Sequence, residues 1–152
     1  MTKILMVCLG NICRSPLAEA IMRSKLSDEQ FMVDSAGTGN YHIGDLPDRR
    51  SVEIAHRYGL DITDQRGRQF SVRDFDAFDH IYVMDNSNYK NVIDLARTDQ
   101  DVSKVKMILN EVYPGQDYDV PDPYHDSIDG FENVFKMLDE ATDIIKEKLS
   151  LA

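Results

Sequence analysis

A thiol and a guanidinium stand six positions apart near the start of the chain, at Cys8 and Arg14. Between them, Gly10 and Asn11 are the residue types that most readily adopt positive φ, so the backbone here can turn tightly. A tight turn that leads into a helix directs several amide N–H groups at one point, and the helix start adds about half a positive charge. We therefore predict an anion site with Cys8 at its base, where Arg14 can bind two oxygens of the anion at once.

The residues on either side of this turn supply a strand and a helix. Residues 4–7 are apolar and predict a buried strand. Ser15 is expected to cap a helix over about residues 16–26, and Pro16 suits its first position because the missing N–H is not needed there. The field that holds an anion also favours the Cys8 thiolate, to which Ser15 can donate its hydroxyl hydrogen. The segment thus combines a nucleophile with an anion site.

Four strings in the chain resemble one enzyme family. Residues 7–16 read VCLGNICRSP, and this string after a buried strand resembles the low-molecular-weight protein tyrosine phosphatases. Three further strings are similar to the same family: SAGTGNYHIG at 35–44, MDNSN at 84–88 and DPY at 122–124. The resemblance extends from the start of the chain to its last helix. It implies a single phosphatase domain over 1–152 that acts on phosphotyrosine in proteins or on small aryl phosphates.

Three residues carry the chemistry that the resemblance implies. Cys8 would attack the phosphate monoester and form a phosphocysteine, which water later hydrolyses. Arg14 would hold two equatorial oxygens of the transferring group, a contact that a planar guanidinium allows and a lysine does not. Asp122 would protonate the leaving oxygen and then activate the water. The flanking Pro121 and Pro123 restrict the backbone around this carboxyl group.

The other site residues form the loop and the walls of the pocket. The resemblance implies a phosphate-binding loop that includes Leu9, Gly10, Asn11, Ile12, Cys13 and Ser15. Tyr41 and Tyr124 would pack on a flat phenyl ring and favour an aryl phosphate. His125 stands where the family usually has a second aromatic residue, and it would also line the pocket. Phosphate and other oxyanions are expected to inhibit the enzyme by occupying the same loop.

Hydrogen bonds from polar side chains are expected to hold the loop in place. Asn11 and Ser15 are the candidates within the loop itself. The family adds a histidine partner from the segment that corresponds to residues 64–69, but this chain has no histidine there. Either Gln65 replaces that histidine or the network is shorter. We interpret Asp85, in the third of the similar strings, as a structural residue.

The two cysteines, Cys8 and Cys13, lie five positions apart on one loop and form no disulfide framework. This usage predicts a reducing, cytoplasmic environment. The resemblance implies that Cys13 can form a disulfide with Cys8 under oxidation and so protect the nucleophile from irreversible oxidation. The alternative is that Cys13 only packs in the interior, as buried cysteines commonly do.

Length and charge exclude several other classes of protein. A chain of 152 residues suits one domain with one core. No signal peptide and no apolar run long enough to cross a bilayer occurs, so we expect no membrane association. Residues 1–75 carry ten basic and ten acidic side chains, so the net charge of −10 lies wholly in 76–152. No basic patch points to nucleic acid, and a monomer is expected.

Metal and nucleotide cofactors are not expected. The four histidines are scattered, and none has acidic or thiol neighbours at the spacing of metal ligands. They are His42, His56, His80 and His125. No glycine-rich nucleotide motif occurs either, so the predicted chemistry needs no cofactor.

Strands and helices alternate along the chain. Strands are predicted at 4–7, 31–36, 80–84 and 105–109, although the last also suits a short helix. Helices are predicted at 16–26, at 47–58, from the capping residues 85–87 to about 96, and at 128–149. Residues 37–46 and 113–124 are predicted loops, and 70–75 an ambiguous helical turn. This alternation predicts a small doubly wound α/β fold whose four-stranded parallel sheet has helices on both faces. The resemblance implies the strand order 2-1-3-4, with the site at the carboxyl ends of the strands.

Three other functions fit part of the pattern. Thioredoxin-coupled arsenate reductases share the fold and the loop but relay oxidation through further thiols, and no cysteine follows Cys13 here. Relatives that hydrolyse phosphoarginine carry threonine at the position of Ile12, where the larger isoleucine narrows the slot and favours tyrosine. A non-catalytic phosphate-binding module would be expected to lose Cys8, Arg14 or Asp122, and all three are present.

Overall fold

The computed structural model describes residues 1–151, and a four-stranded parallel sheet forms its centre. The strands are β1 (Thr2–Cys8), β2 (Phe31–Gly37), β3 (His80–Val83) and β4 (Val105–Met107). Their order across the sheet is β2-β1-β3-β4, which confirms the order that the resemblance implies. Cys8 pairs with Gly37 at the carboxyl ends of β1 and β2, where the predicted site lies.

Six α-helices and one 3₁₀ turn connect the strands or follow them within residues 1–151. They are α1 (Arg14–Lys25), α2 (Arg49–Arg57), α3 (Arg73–Ala77), α4 (Asn86–Ile93), α5 (Asp99–Ser103), the 3₁₀ turn (Ile108–Glu111) and α6 (Ile128–Ser150). None of these described helices combines the length and the apolar character that crossing a bilayer requires.

Helices cover both faces of the sheet, so that β1 is buried on both sides. Ile4 and Met6 belong to an apolar cluster that includes buried side chains of α1 and α6. Leu5 and Val7 belong to a second cluster, with buried side chains of α3 and α4. Alternate strand residues point to opposite faces, which explains why residues 4–7 are all apolar. The strand that carries Cys8 at its end is therefore fixed by packing on both sides.

Ser15 does not cap α1, so this part of the sequence prediction is wrong. The helix begins at Arg14, Cys13 precedes it, and no side chain makes a capping hydrogen bond there. The Ser15 hydroxyl is instead within 3.0 Å of Cys8 Sγ and accepts a hydrogen bond from the Asn11 amide. The hydroxyl therefore binds within residues 8–15, next to the Cys8 sulfur to which the sequence predicts that it can donate, and not at the helix end.

Several predicted boundaries also shift. β4 ends at Met107, and the 3₁₀ turn takes the last two residues of the predicted strand 105–109. α4 ends at Ile93 rather than near 96, and the helical turn expected within 70–75 begins only at Arg73. α5 was not predicted, because a helix of five residues is too short to give an amphipathic pattern.

Candidate active site

The Cys8 loop, residues 8–15, joins the carboxyl end of β1 to the first turn of α1. Asn11 adopts positive φ (57°), as the sequence suggests, whereas Gly10 does not. The Asn11 backbone N–H donates to Cys8 Sγ at 3.3 Å. Its side-chain Nδ2 donates to Ser15 Oγ at 2.7 Å, and its Oδ1 accepts from the Arg68 N–H at 3.1 Å. Asparagine suits this position because it tolerates the left-handed backbone and carries both a donor and an acceptor.

The Cys8 thiol lies where hydrogen-bond donors meet. The residue is 2% exposed, and its Sγ is 3.0 Å from Ser15 Oγ in addition to the Asn11 N–H. Because Ser15 Oγ already accepts a hydrogen bond from Asn11 Nδ2, its own hydrogen can be donated to the sulfur. Two hydrogen-bond donors and the start of α1 therefore converge on the sulfur that the sequence predicts as the nucleophile.

Most amide groups of the Cys8 loop have no internal acceptor. The N–H groups of Leu9, Gly10, Ile12, Cys13 and Arg14 donate to no group among the described residues. Buried backbone N–H groups are nearly always paired, so a run of unpaired amides at a helix start is typical of a loop that binds an external anion.

Gly37 at the end of β2 supports the Cys8 loop from below. A β-carbon at this position would lie 2.7 Å from the Leu9 carbonyl oxygen and 3.0 Å from the Gly10 carbonyl carbon. The next residues bind the same backbone, since Thr38 donates to the Cys8 carbonyl and Gly39 to the Leu9 carbonyl, each at 2.9 Å. Only glycine allows β2 to approach the loop so closely.

Arg14 is 2% exposed and is bound along one edge only. Its Nη1 donates to Asp85 Oδ2 and to the Val120 carbonyl oxygen, each at 2.8 Å. Its Nε and Nη2 make no hydrogen bond to the described residues, which leaves two parallel donors for an anion. Burial opposes the charge on the guanidinium, but the nearby Cys8, Asp85 and Asp122 groups outweigh burial and raise the pKa of Arg14.

A cavity of about 280 Å³ brings the three predicted catalytic residues together. It is lined by Cys8, Leu9, Gly10, Ile12, Cys13, Arg14, Tyr41, His42, Asp122, Tyr124 and His125. The Asp122 side chain is 47% exposed, and its Oδ2 lies 4.0 Å from Arg14 Nη2. Its Oδ1 accepts a hydrogen bond from the Tyr124 N–H at 3.1 Å. Asn11 and Ser15 do not line the cavity but support the loop that does.

Comparison with known proteins shows the family to which this chain belongs. Residues 3–150 match the family model described as low molecular weight phosphotyrosine protein phosphatase. The chain belongs to the low-molecular-weight protein tyrosine phosphatases. A Synechocystis protein assigned to the same group is 44% identical over 143 residues, which cover 91% of this chain and 90% of the relative.

Solved structures of this phosphatase family are similar over nearly the whole chain. A protein tyrosine phosphatase from Entamoeba histolytica, with Hepes in its active site, has a TM-score of 0.91 and 36% identity. The similarity covers 99% of this chain and 97% of that structure. Wzb from Vibrio vulnificus, in complex with benzylphosphonate, has a TM-score of 0.87 and 27% identity, with 97% and 98% of the two chains covered.

Two tyrosines and two histidines line the entrance of this phosphatase cavity. Tyr41 is 79% exposed and Tyr124 is 44% exposed, so both rings are open to a ligand. The His125 ring packs edge-on against Tyr124, with ring centroids 5.1 Å apart. His42 also lines the cavity, although the sequence analysis gave it no site role, and its Nδ1 lies 3.0 Å from Asp45 Oδ2.

Asp85 makes two structural contacts, in keeping with the structural role that the sequence suggests. One carboxylate oxygen accepts from the Asn88 N–H at 2.7 Å and caps α4, while the other binds Arg14. The residue therefore fixes both a helix and the guanidinium of the phosphatase site. An acidic residue just beyond the carboxyl end of a central parallel strand is the signal that indicates this second role.

The hydrogen-bond network behind the Cys8 loop extends to Glu19, which pairs with Arg23 Nη2 at 2.9 Å, and does not include Gln65. Asn11 Nδ2 donates to Ser35 Oγ at 3.0 Å, and Ser35 Oγ donates to Glu19 Oε1 at 2.7 Å. Burial raises the pKa of Glu19 to about 7, although the Ser35 hydrogen bond and the charge of Arg23 act in the opposite direction. Gln65 instead donates to the carbonyl of Pro16 at 3.1 Å, so it does not replace the family histidine.

Cys13 is a free, buried thiol on the wall of the cavity. Burial raises its pKa above the ordinary value, and the nearby Asp48 and Cys8 groups add to this effect. Cys13 is therefore a neutral thiol near pH 7. Among residues 1–151, no three His, Cys, Asp or Glu side chains are grouped as metal ligands would be.

Proposed function

We propose that this chain hydrolyses phosphotyrosine, in proteins or as small aryl phosphate monoesters, through a phosphocysteine intermediate. One observation carries the proposal: the Cys8 thiol, the unbound edge of Arg14 and the Asp122 carboxyl line one cavity above unpaired loop amides. The proposal treats residues 1–152 as a single catalytic domain, with Cys8 as nucleophile, Arg14 as phosphate ligand and Asp122 as general acid.

In the first step the Cys8 thiolate attacks phosphorus. A sulfur–phosphorus bond forms as the bond between phosphorus and the leaving oxygen breaks. Arg14 and the loop amides bind the three equatorial oxygens, where charge is greatest in the transition state. Asp122 gives its proton to the leaving phenolate, a contribution that is typically about 10²–10⁴-fold.

In the second step water releases the phosphate. Asp122, now a carboxylate, takes a proton from the water as it attacks phosphorus, and the sulfur–phosphorus bond breaks. The products are inorganic phosphate and the Cys8 thiolate, which the Ser15 and Asn11 donors stabilise as a leaving group. No redox change and no metal ion enters the proposed cycle.

The walls of the cavity support an aryl rather than an alkyl substrate. The exposed faces of Tyr41 and Tyr124 can pack on a phenyl ring, with His125 at the edge of Tyr124. The benzylphosphonate complex of the Vibrio vulnificus relative supports this choice, because that ligand combines a phenyl ring with a phosphonate. Because a phosphonate binds that relative, the proposal also includes inhibition of this chain by phosphate and other oxyanions.

The cellular setting is also part of the proposal. Two free thiols support a reducing, cytoplasmic location. We propose that the protein acts as a monomer on phosphotyrosine-containing proteins or small aryl phosphates. Nucleic acid and membranes are not among its expected partners.

The decisive test is aryl phosphate hydrolysis, measured with a chelator present, for wild type, Cys8→Ser and Asp122→Ala. We expect no turnover for Cys8→Ser, because the alcohol cannot act as the thiolate does. We expect a loss of about 10²–10⁴-fold for Asp122→Ala with a poor leaving group, and a smaller loss with nitrophenolate. Undiminished hydrolysis by Cys8→Ser would end the proposed mechanism.

Phosphoarginine is the matched substrate for the competing hypothesis. Wild type is expected to prefer phosphotyrosine, and Ile12→Thr to shift that preference toward phosphoarginine by opening the slot. Hydrolysis of phosphoarginine by wild type that is faster than hydrolysis of phosphotyrosine would assign this chain to the arginine-directed relatives instead.

A further inference from the structure

Arg50, in the first turn of α2, binds two loops at once. On one side its Nε and Nη2 donate to the two carboxylate oxygens of Asp48, at 3.1 Å and 3.0 Å. On the other side Nη2 donates to the Tyr124 carbonyl and Nη1 to the Asp126 carbonyl, each at 2.8 Å. One guanidinium therefore connects the start of α2 to the segment that carries Asp122.

The start of α2 is itself bound to the Cys8 loop. The Asp48 N–H donates to the Ile12 carbonyl at 2.7 Å, and Ser51 Oγ donates to the Cys13 carbonyl at 3.2 Å. Asp48 also caps the helix by accepting from the Arg50 N–H at 2.9 Å. These contacts give Arg50 a fixed base on the loop that carries the nucleophile.

The acid loop, residues 120–126, is held at both ends. Val120 is fully buried, and its N–H donates to the Met84 carbonyl at 2.8 Å while its carbonyl accepts from Arg14. Beyond Val120, the hydrogen bonds that residues 121–126 make to described residues outside the acid loop both come from Arg50. Asp122 thus lies between a buried anchor and the Arg50 anchor.

The planar shape of the Arg50 side chain matters as well as its charge. Its guanidinium carbon lies 4.3 Å from the ring centroid of Phe131, in the first turn of α6, and 5.9 Å from that of Tyr124. A lysine ammonium could bind one carbonyl, but it could not bind both carbonyls, bind Asp48 at two points and lie over a ring at the same time.

We propose that Arg50 is a positioning residue that holds the Asp122 carboxyl at the distance from the Cys8 loop that proton transfer requires. This inference depends on the proposed role of Asp122 as general acid. The acid loop contains no helix or strand, and the Asp122 side chain is half exposed, so packing alone does not fix it. A displacement of about 1 Å in such a group can cost about 10²-fold in rate.

The test compares Arg50→Ala with wild type on two substrates. Phenyl phosphate has a leaving group like that of tyrosine, with a pKa of about 10, and needs the proton. Dinitrophenyl phosphate has a leaving group that departs without one. We expect kcat/KM of Arg50→Ala to fall by about 10–100-fold on phenyl phosphate and to change little on dinitrophenyl phosphate, with inhibition by phosphate unchanged. The second substrate also shows that the variant is folded.

Arg49→Ala is the matched control. It removes the same charge from the neighbouring position of α2, and no hydrogen bond of Arg49 to the acid loop occurs among the described residues. We expect wild-type rates on both substrates. Arg50→Lys is expected to recover only part of the loss, because it restores the charge but not the planar contacts. Full recovery by lysine, or an equal loss in Arg49→Ala, would overturn the positioning role.

A double variant separates this inference from the proposed function. If Arg50 acts through Asp122, then Arg50→Ala adds no further loss on phenyl phosphate in the Asp122→Asn background. Additive losses would show that Arg50 acts on something else. A loss in Asp122→Asn that is equal on both substrates would contradict the proposed general acid itself, whatever Arg50 does.

Discussion

Arg14 Nη1 and Asp85 Oδ2 form a partly buried 2.8 Å ion pair that joins the start of α1 to the start of α4. The pair fixes one edge of the guanidinium and turns the other toward the cavity. Removing the charge from one partner of such a pair leaves the other without compensation. The orientation of Arg14 toward the cavity therefore depends on Asp85, which does not itself line the cavity.

Asp85→Asn tests this dependence. Asparagine is also a good helix cap, so α4 should persist, but the weaker bond lets the Arg14 guanidinium move. We expect kcat/KM for an aryl phosphate to fall by about 10²-fold, with weaker inhibition by phosphate. Asp119→Asn is the control, because Asp119 also binds the start of α4 through Asn86 but does not bind Arg14. Equal losses in both variants would mean that the helix, and not the ion pair, matters.

Sequence alone predicts which site residues come together where those residues are close in the chain. The strand, turn and arginine of residues 4–14 lie on one local unit, so spacing and residue type were enough. The ion pair between Arg14 and Asp85 spans 71 positions, and it exists only because β1 and β3 are neighbours in the sheet. Spacing along the chain does not indicate which strands are neighbours; the family resemblance does, through the strand order that it implies.

The wrong assignment of Ser15 as a helix cap has a different cause, because its partners lie only four and seven positions away and compete locally for the same hydroxyl. The pattern of a serine before a helix indicates a cap, but the folded chain brings Asn11 and the Cys8 thiol to that hydroxyl first. The role of Arg50, like the ion pair between Arg14 and Asp85, depends on long-range contacts that spacing along the chain does not indicate. Its partners in the acid loop lie 74 and 76 positions away.

Gly37→Ala tests the support beneath the Cys8 loop. The new methyl group would lie 2.7 Å from the Leu9 carbonyl oxygen, so the loop backbone must move. We expect a loss of about 1–3 kcal/mol in the free energy of unfolding and weaker phosphate inhibition. Gly39→Ala is a graded control, since its nearest contact would be the movable Tyr41 ring at 3.3 Å. Wild-type stability and phosphate inhibition in Gly37→Ala would refute this account of the loop.

Glu19 should make stability depend on pH. Its pKa is raised from 4.5 to about 7 in the folded chain, so between these values the folded state binds more protons than the unfolded state. Stability due to this group is therefore lost as pH rises from about 4.5 to 7, by up to about 3 kcal/mol. Denaturant unfolding at several pH values should show that the stability of Glu19→Gln, relative to wild type, increases as pH rises across this range. As a control, Glu29→Gln changes an exposed residue, and its plot of stability against pH should run parallel to that of wild type. A parallel plot for Glu19→Gln would contradict the prediction.

Cys13→Ala tests whether the second thiol protects the nucleophile. Peroxide oxidises nucleophilic thiols, so the expected target is the proposed nucleophile Cys8, whose Sγ gains an oxygen and becomes a sulfenic acid as water is released. Cys13 sulfur can then attack this sulfur, forming a disulfide and releasing a second water. The wild-type enzyme should therefore lose activity in peroxide and recover it with dithiothreitol.

The variant lacks the attacking thiol, so its sulfenic acid proceeds to sulfinic acid, which dithiothreitol cannot reduce. We expect Cys13→Ala to recover little activity after an exposure from which wild type recovers fully, with intact mass reporting the added oxygens. The raised pKa keeps Cys13 as the neutral thiol, so its attack on Cys8 should become faster as pH rises. The fraction of wild-type activity that dithiothreitol recovers should therefore increase with pH. Full recovery of activity by Cys13→Ala would show that Cys13 does not protect Cys8 and only packs in the interior.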